Sequence, residues 1–355
     1  MNPSAVGGWI QSHKEDLAKK ILDRQLLDYM IEDRDRINEK RDKCLEDIGY
    51  HLSYLANALD KDSLLLFEHY VIWVRKLFQN LGISISSLAD NLKATGRVLR
   101  EALGDEAFQR IRLFLDRGSA VMSGEVSEHA VEEEELDSLW NSDVDLYIRF
   151  LLEPNRAAAT KLVMDRLDQG VDVKMLYLHI FQPALRKIGR MWQTNTLSVA
   201  QEHYFTASTQ WIMSLLYHRI FETPHNGFRL VGTCVGGELH EIGMRMVCDF
   251  FEMEGWDTYY LGANTPTQAV LEAVDSHKPH LVAISTTMVF HIPGVEAMVR
   301  AVKAQSGNPQ PWILLGGYPF NRDPELWKKV GGDAFGQDAQ MGVMKARHLI
   351  ASGKT

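Results

Sequence analysis

Eight consecutive residues, Gly236-Gly237-Glu238-Leu239-His240-Glu241-Ile242-Gly243, combine an imidazole, a carboxylate two positions before it and a glycine three positions after it. A neutral imidazole ligates metals through one ring nitrogen. Glu238 is close enough to hydrogen-bond the other nitrogen, which fixes the tautomer and raises the basicity of the ligating one. Gly243 has no side chain, so a bulky planar ligand could lie close to it. Glu-x-His-x-x-Gly is a short pattern, and a surface histidine on a strand–helix loop is its alternative reading.

The flanking segments say where these residues sit. The apolar run 228–233 reads as a buried strand and 244–251 as a helix. His240 then lies on the loop at the carboxyl end of a first strand, where open α/β sheets bind ligands. Small residues recur at the ends of later strands. Ser285 and Thr287 follow the run 280–284, and Gly316-Gly317 follow 312–315.

Together, Glu238-x-His240-x-x-Gly243, Ser285-x-Thr287 and Gly316-Gly317 resemble the cobalamin-binding domains of methionine synthase, the corrinoid mutases and their relatives. The resemblance covers roughly residues 228–352. It implies that His240 replaces the cofactor's own base beneath cobalt, with Glu238 behind it and Leu239 beside it. It also implies that the nucleotide tail threads into a slot lined by Ser285, Thr287, Gly316 and Gly317. Many members carry aspartate where this chain has Glu238; a glutamate can serve the same role.

Composition bounds the rest. A chain of 355 residues has room for two or three domains. At 45% hydrophobic and 24% charged it reads as soluble and globular. A net charge of −9 argues against nucleic-acid binding. No run approaches the roughly 18 apolar residues of a membrane span, and the N-terminus lacks a signal-peptide pattern. Cys44, Cys234 and Cys248 are odd in number and unpatterned, against disulfides and zinc. A cytoplasmic protein is expected.

In chain order, residues 4–121 read as helical throughout. Helices are expected over 42–59, 64–80 (ended by Gly82), 87–103 and 106–115, with Gly104 as a stop between the last two. The charged first thirty-odd residues suggest a lone or partner-packed helix. Two clusters stand out here. Tyr50, His51 and Tyr54 share one expected helix, and His69, Tyr70 and Trp73 the next, with Tyr50/Tyr54 and His69/Trp73 one turn apart. They could wall a slot for a flat conjugated ligand, with Arg41, Lys43 and Arg75 near in sequence as cations. A helical core with polar tips at the surface is the plainer reading, and Cys44 reads as a small core residue. Residues 123–135, ending in four glutamates, read as a solvated linker.

Residues 143–221 read as a four-helix unit over 143–152, 156–169, 173–191 and 199–221. Ser198 and Gln201 form a capping-box pattern, which places Glu202 and His203 on the opening turn of the last helix. Trp192 sits at the exit of the helix before it. A tryptophan, nine residues and then Glu-His resembles the signature of light-sensing cobalamin proteins of the CarH type. The resemblance implies that this bundle caps the upper face of the cofactor, with Trp192, Glu202 and His203 crowding its adenosyl group. The plainer alternative is a core tryptophan beside a solvated Glu-His pair. One position departs from the type. Gln193 stands where those proteins carry a histidine that captures cobalt after photolysis, leaving His203 as the nearest substitute.

The remainder alternates strands near residues 228, 258, 280, 312 and 334 with helical segments, implying a parallel sheet covered on both faces. Thr265-Pro266-Thr267-Gln268 is expected to cap a helix with proline at its first position. Gly332-Asp333-Ala334 and Asp338-Ala339 close the last turn. A flavodoxin-like strand order follows from the resemblance. The expected map is a helical domain over 1–122, an acidic linker over 123–142, a four-helix cap over 143–222 and a Rossmann-like domain over 226–355.

The leading functional expectation is a non-enzymatic photoreceptor binding adenosylcobalamin, with a homo-oligomer (a dimer) and a separate output partner, and without nucleic-acid or membrane partners. A helical N-terminus ahead of cap and cobalamin domain also resembles the photocobilins, which implies biliverdin as a non-covalent second chromophore. Two other readings stand beside it: a corrinoid carrier of a methyltransferase system, and a haem-binding redox sensor. A radical mutase lacks its substrate barrel.

Overall fold

A computed structural model describes residues 5–27, 39–124, 138–305 and 310–353. The chain divides into two compact units, Met1–Ala130 and Val131–Thr355. The acidic run Glu132-Glu133-Glu134-Glu135 lies outside the described residues.

The first unit is helical. Its elements are α1 (Val6–Ser12), α2 (Lys14–Leu27), α3 (Arg41–Asp60), α4 (Leu64–Asn80) and α5 (Ile85–Ser123). In α3, Ile48, Leu52, Leu55 and Leu59 recur at helical spacing and are buried together. The α2 helix is not solitary: Leu17, Ala18, Ile21 and Leu22 are buried, and Arg24 pairs with Glu101 of α5. Gly104 kinks α5 instead of ending it, at φ 79° and ψ 167°. The helix resumes because Ile111, Phe114, Leu115, Val121 and Met122 continue a buried stripe well past residue 115.

The second unit opens with the bundle: α6 (Ser138–Leu152), α7 (Arg156–Asp168), α8 (Val173–Leu176, Tyr177–Phe181 and Gln182–Gln193 in one run) and α9 (Val199–Leu215), followed by the short α10 (Tyr217–Ile220). The first helix begins at Ser138, inside the stretch expected to be linker. Buried Asp143 of α6 accepts both Nε and Nη2 of Arg166 on α7 at 2.7 and 2.8 Å, a planar fork matched to a carboxylate. The α8 run widens to π-type turns over Tyr177–Phe181, just before Pro183. Proline has no N–H and crowds the preceding turn, and a wider turn accommodates it.

Five parallel strands follow: β1 (Arg229–Cys234), β2 (Asp257–Tyr260), β3 (Leu281–Ser285), β4 (Trp312–Gly316) and β5 (Ala334–Gly336). Their order is β2-β1-β3-β4-β5, the flavodoxin-like arrangement. The helices between them are α11 (Ile242–Glu252), α12 (Thr267–His277), α13 (Ile292–Ala304), α14 (Tyr318–Arg322), α15 (Leu326–Lys329) and α16 (Ala339–Ser352). Proline 266 is the residue before α12, with no side-chain cap, rather than its first residue. Pairs α11–α16 and α12–α13 pack on each other. The bundle core, with Tyr147, Tyr177, Phe181 and Phe205, is continuous with Met244, Phe250 and Phe251 of α11 and Val343 of α16. The bundle and the sheet therefore share one hydrophobic core.

Candidate cobalamin site

The strand order reverses between β1 and β3, and the loops leaving those two strands flank the crevice where such sheets hold ligands. The first of these loops carries His240. Its path turns at Gly237, whose φ of +85° suits glycine and whose N–H donates to Asn264 Oδ1 at 2.6 Å. Glu238 folds inward, 1% exposed, while Leu239 and His240 face outward at 73% for the residue and 62% for the imidazole.

Glu238 Oε1 lies 2.5 Å from His240 Nδ1 and also accepts the His240 N–H at 3.0 Å. Oε2 accepts the Thr287 and Met288 N–H groups at 2.6 and 3.1 Å and the Thr286 hydroxyl at 3.1 Å, and lies 3.2 Å from His291 Nδ1. One carboxylate thus joins the loop after β1 to the loop after β3. Burial alone would raise its pKa, but hydrogen bonds from His240, His291 and the Thr287 and His240 amides outweigh it and hold the carboxyl well below the usual range. The His240 imidazole is shifted upward, chiefly by that hydrogen bond, against desolvation, with the charges of Glu238 and Glu202 adding to it. A carboxylate beside Nδ1 places the ring hydrogen there and leaves the Nε2 lone pair available.

Beside this loop runs a row of small residues. Cys234, Ser285, Gly316 and Gly336 are adjacent in register at the carboxyl ends of β1, β3, β4 and β5. A Cβ on Gly317, at φ +104°, would come within 2.0 Å of the Thr286 carbonyl oxygen, and one on Gly336 within 2.9 Å of Gly342 Cα. A Cβ on Gly243 would meet nothing within 4 Å. An exposed imidazole with a free Nε2, open space at Gly243 and a row of small side chains fit a histidine-ligated corrinoid with its tail along the strand ends. At the end of β3 the Thr286 hydroxyl and the Thr287 N–H both donate to Glu238, which ties the strand end carrying Ser285 to the His240 loop.

The cap residues flank one turn. Trp192, 42% exposed, lies near the end of α8, and Gln193 is its last residue. Asn195, at φ +53°, turns the chain. The Ser198–Gln201 capping box then starts α9, with Ser198 Oγ accepting from Gln201 N at 3.3 Å and Gln201 Oε1 accepting from Ser198 N at 3.0 Å. Glu202 follows at once, bonded to Thr206 Oγ1 at 2.8 Å and lying 2.6 Å from Nδ1 of the exposed His203. Further along the same helix, Gln210 Nε2 donates to Oε1 of Glu241, the residue after His240, at 2.8 Å, so α9 runs beside the ligand loop.

The N-terminal clusters differ from a walled slot. Tyr54 and Tyr70 stack on each other, ring centres 3.7 Å apart, and both are buried. Tyr70 OH bonds His51 Nδ1, and its other neighbours are Phe67 and Trp73. Burial pushes the His51 imidazole down to about 4 and raises the Tyr70 phenol, so the phenol is the donor of that bond. These rings fill one another's faces as core. Tyr50, by contrast, is 45% exposed and bonds Glu46. Arg75 donates to the Val121 carbonyl and Arg41 to Asp23.

Sequence reasoning missed Thr286, His291 and Gly336. Only Gly336 carried a signal, as a third glycine closing a third strand. Among the described residues no group of three or more His, Cys, Asp or Glu is arranged to hold a metal ion. No described helix is long and apolar enough to cross a membrane.

The helical bundle, the switch-point histidine and the row of small residues fit a corrinoid-binding protein of the cap-and-sheet class. Comparison with known families agrees: residues 228–342 match the model of a B12 binding domain, and residues 145–217 match a second B12 binding domain model. The chain is a B12-binding protein, with a helical cap ahead of a Rossmann-like domain. Dimethylamine corrinoid protein 3 of Methanosarcina mazei is 24% identical over 123 residues, 34% of this chain and 72% of its own length. Monomethylamine corrinoid protein 1 of Methanosarcina acetivorans is 21% identical over 203 residues, 55% of this chain and 92% of its own. Other dimethylamine corrinoid proteins are spanned over 56% of their length. The solved monomethylamine corrinoid protein of Methanosarcina barkeri superposes with a TM-score of 0.52 at 17% identity, covering 57% of this chain and 96% of that one. None of these relatives is a photoreceptor, and neither family match reaches the first unit.

Proposed function

We propose that this chain is a cobalamin-based light sensor that binds an alkylcobalamin such as adenosylcobalamin between His240 and the opening turn of α9. The observation that carries the reading is the cap constellation: exposed Trp192 and Glu202-His203 on either side of one turn, at the start of the helix whose Gln210 bonds Glu241, the residue after His240. When bound, the cofactor supplies a weak cobalt–carbon bond that absorbs visible light. His240 would hold cobalt through Nε2, and Glu238 would keep that nitrogen basic. Trp192 and Glu202 would enclose the alkyl group. Loss of that group would change the contacts of α9 and bias a two-state interface. Output would go through self-association or a separate partner.

The relatives favour a second reading, a corrinoid carrier of a methyltransferase system, since those named above are methylamine corrinoid proteins. A carrier needs its upper face open to a partner methyltransferase, and Trp192 and Glu202 would then be gating residues. One experiment separates the two. The purified chain is loaded with adenosylcobalamin in darkness, and its spectrum and mass in solution are recorded before and after green light. A light-driven change in both supports the sensor. A spectrum that bleaches without any change in assembly, together with methyl transfer on addition of a corrinoid methyltransferase, supports the carrier.

Biliverdin rests on the resemblance alone and would have to seat against Tyr50 and Trp73, because Tyr54 and Tyr70 occupy each other. A red band that survives desalting supports it; a colourless protein removes it.

A further inference from the structure

The helix carrying Glu202 and His203 is held to the helix following His240 by a small polar cluster. Gln210 Nε2, in the second half of α9, donates to Glu241 Oε1 at 2.8 Å. Glu241 is the residue after His240, and it is itself fixed: its Oε2 accepts the Tyr260 hydroxyl and the Ala263 N–H, both at 3.1 Å. One turn further along, Arg245 of α11 spends its guanidinium on the same region. Its Nη1 donates to the Gln210 carbonyl at 3.2 Å, its Nη2 to Ser214 Oγ at 2.7 Å and its Nε to Tyr217 OH at 3.1 Å, with the guanidinium 5.2 Å from the Tyr217 ring centre. A cation there also suits the carboxyl-terminal end of α9.

Two further polar ties between bundle and sheet, among the described residues, hold a different helix. Tyr177 bonds Asp249 at 2.8 Å and Lys174 bonds Glu254 at 2.6 Å, both from α8. The α9 helix is therefore gripped in its second half, while Glu202, eight residues back, stands about 12 Å further along the axis.

We propose that Gln210 and Arg245 are positioning residues, a clasp that sets the register of α9 over His240 and transmits displacement of the His240 loop to Glu202 and His203 through Glu241. This rests on the His240 loop being the cobalamin site and not on light sensing. With cobalt held at His240, Glu241, adjacent in the chain and bonded to α9, would move with that loop; α9 is stiff, so its far end would follow.

The test is hydrogen–deuterium exchange on the full chain, without and with hydroxocobalamin. In the cofactor-free protein, Gln210→Ala and Arg245→Met should each speed exchange over residues 199–206 about tenfold, as expected for lost bonds to charged groups, and leave β1 and β3 unchanged. Hydroxocobalamin should slow exchange at both 237–243 and 199–206 in the parent, but only at 237–243 in the double variant. The exchanged pair Gln210→Glu with Glu241→Gln keeps a donor facing an acceptor, so it should restore the coupling that Gln210→Glu alone destroys by setting two carboxylates together. Parental exchange at 199–206 in the variants, full transfer of protection in the double variant, or no rescue by the exchanged pair would each overturn the clasp. A parent that fails to bind hydroxocobalamin would sink the cofactor reading, while the cofactor-free comparison would still decide whether the clasp sets α9.

Discussion

Nδ1 of His240 lies 2.5 Å from Oε1 of Glu238, a carboxylate only 1% exposed. A buried anion held by several donors restrains an otherwise exposed imidazole. His240→Ala should abolish the spectrum of histidine-ligated cobalamin. Glu238→Gln keeps the shape but sets an amide hydrogen among donors, and should weaken cobalamin retention about 10–100-fold. Equilibrium dialysis with hydroxocobalamin measures both, and parental affinity in the His240 variant removes the ligand assignment.

Two glycines should respond oppositely to alanine. Gly317→Ala forces a Cβ against the Thr286 carbonyl at a left-handed φ, and should cost about 1–3 kcal/mol of stability in urea unfolding. Gly243→Ala meets open space, so the cofactor-free protein should be as stable as the parent or slightly more so, while cobalamin affinity falls. A Gly243→Ala protein that binds as the parent does would mean that the ligand passes elsewhere.

The first unit should be sensitive to acid. The folded-state pKa of His51, about 4, lies below the ordinary histidine value. A depressed histidine binds its proton more weakly when folded, so stability is full above about pH 6.5 and falls as pH drops toward 4. The loss is up to about 3 kcal/mol. His51→Gln should flatten this slope when unfolding of the first unit is followed by tryptophan fluorescence between pH 7 and 4. An unchanged slope would place the acid sensitivity elsewhere.

What was legible in the sequence was local. Glu238 and His240 are two residues apart, so their pairing follows from chain geometry, and small residues ending apolar runs mark strand ends wherever the strands lie. The capping box at Ser198 is equally short-range. By contrast, Thr286 and His291 reach Glu238 across 48 and 53 residues, a contact set by β1 lying beside β3. Gln210 and Arg245 act across the bundle–sheet contact in the same way. Helical spacing pointed to Tyr50 with Tyr54 and His69 with Trp73; the structure instead pairs Tyr54 and His51 with Tyr70 across two helices. Spacing along one helix cannot say which neighbouring helix fills its face. Likewise, charge density alone set the expected linker end, and helix formation from Ser138 overrode it.

Asp249 links the bundle to α11 in an energetically costly place. Burial raises its carboxyl to about 6, against the Tyr177 hydrogen bond and the Arg245 charge that lower it. A raised carboxyl binds its proton more tightly in the folded state, so the cost is full above about pH 6 and is relieved as pH falls toward 4. Asp249→Asn still accepts from Tyr177 and should stabilise the protein by about 2 kcal/mol at pH 8, a gain that disappears by about pH 4. Urea titrations at the two pH values check this, and equal gains at both would discard it.

Trp192 separates the two functional readings most directly. It is 42% exposed at the end of α8, near the turn that leads to Glu202. If it shields an upper ligand, Trp192→Ala should leave His240 ligation intact and lower affinity for adenosylcobalamin more than for hydroxocobalamin, because only the former carries a large group above cobalt. Filling a pocket with an indole contributes about 1.5–3 kcal/mol, a difference of roughly ten- to a hundredfold between the two ligands. The variant should also lose any light-driven change of assembly, since the contact that senses the upper group is gone. Equal loss of affinity for both cobalamins would make Trp192 a packing residue of the cap. An unchanged preference for adenosylcobalamin with an intact light response would remove it from the upper face altogether and leave the carrier reading ahead.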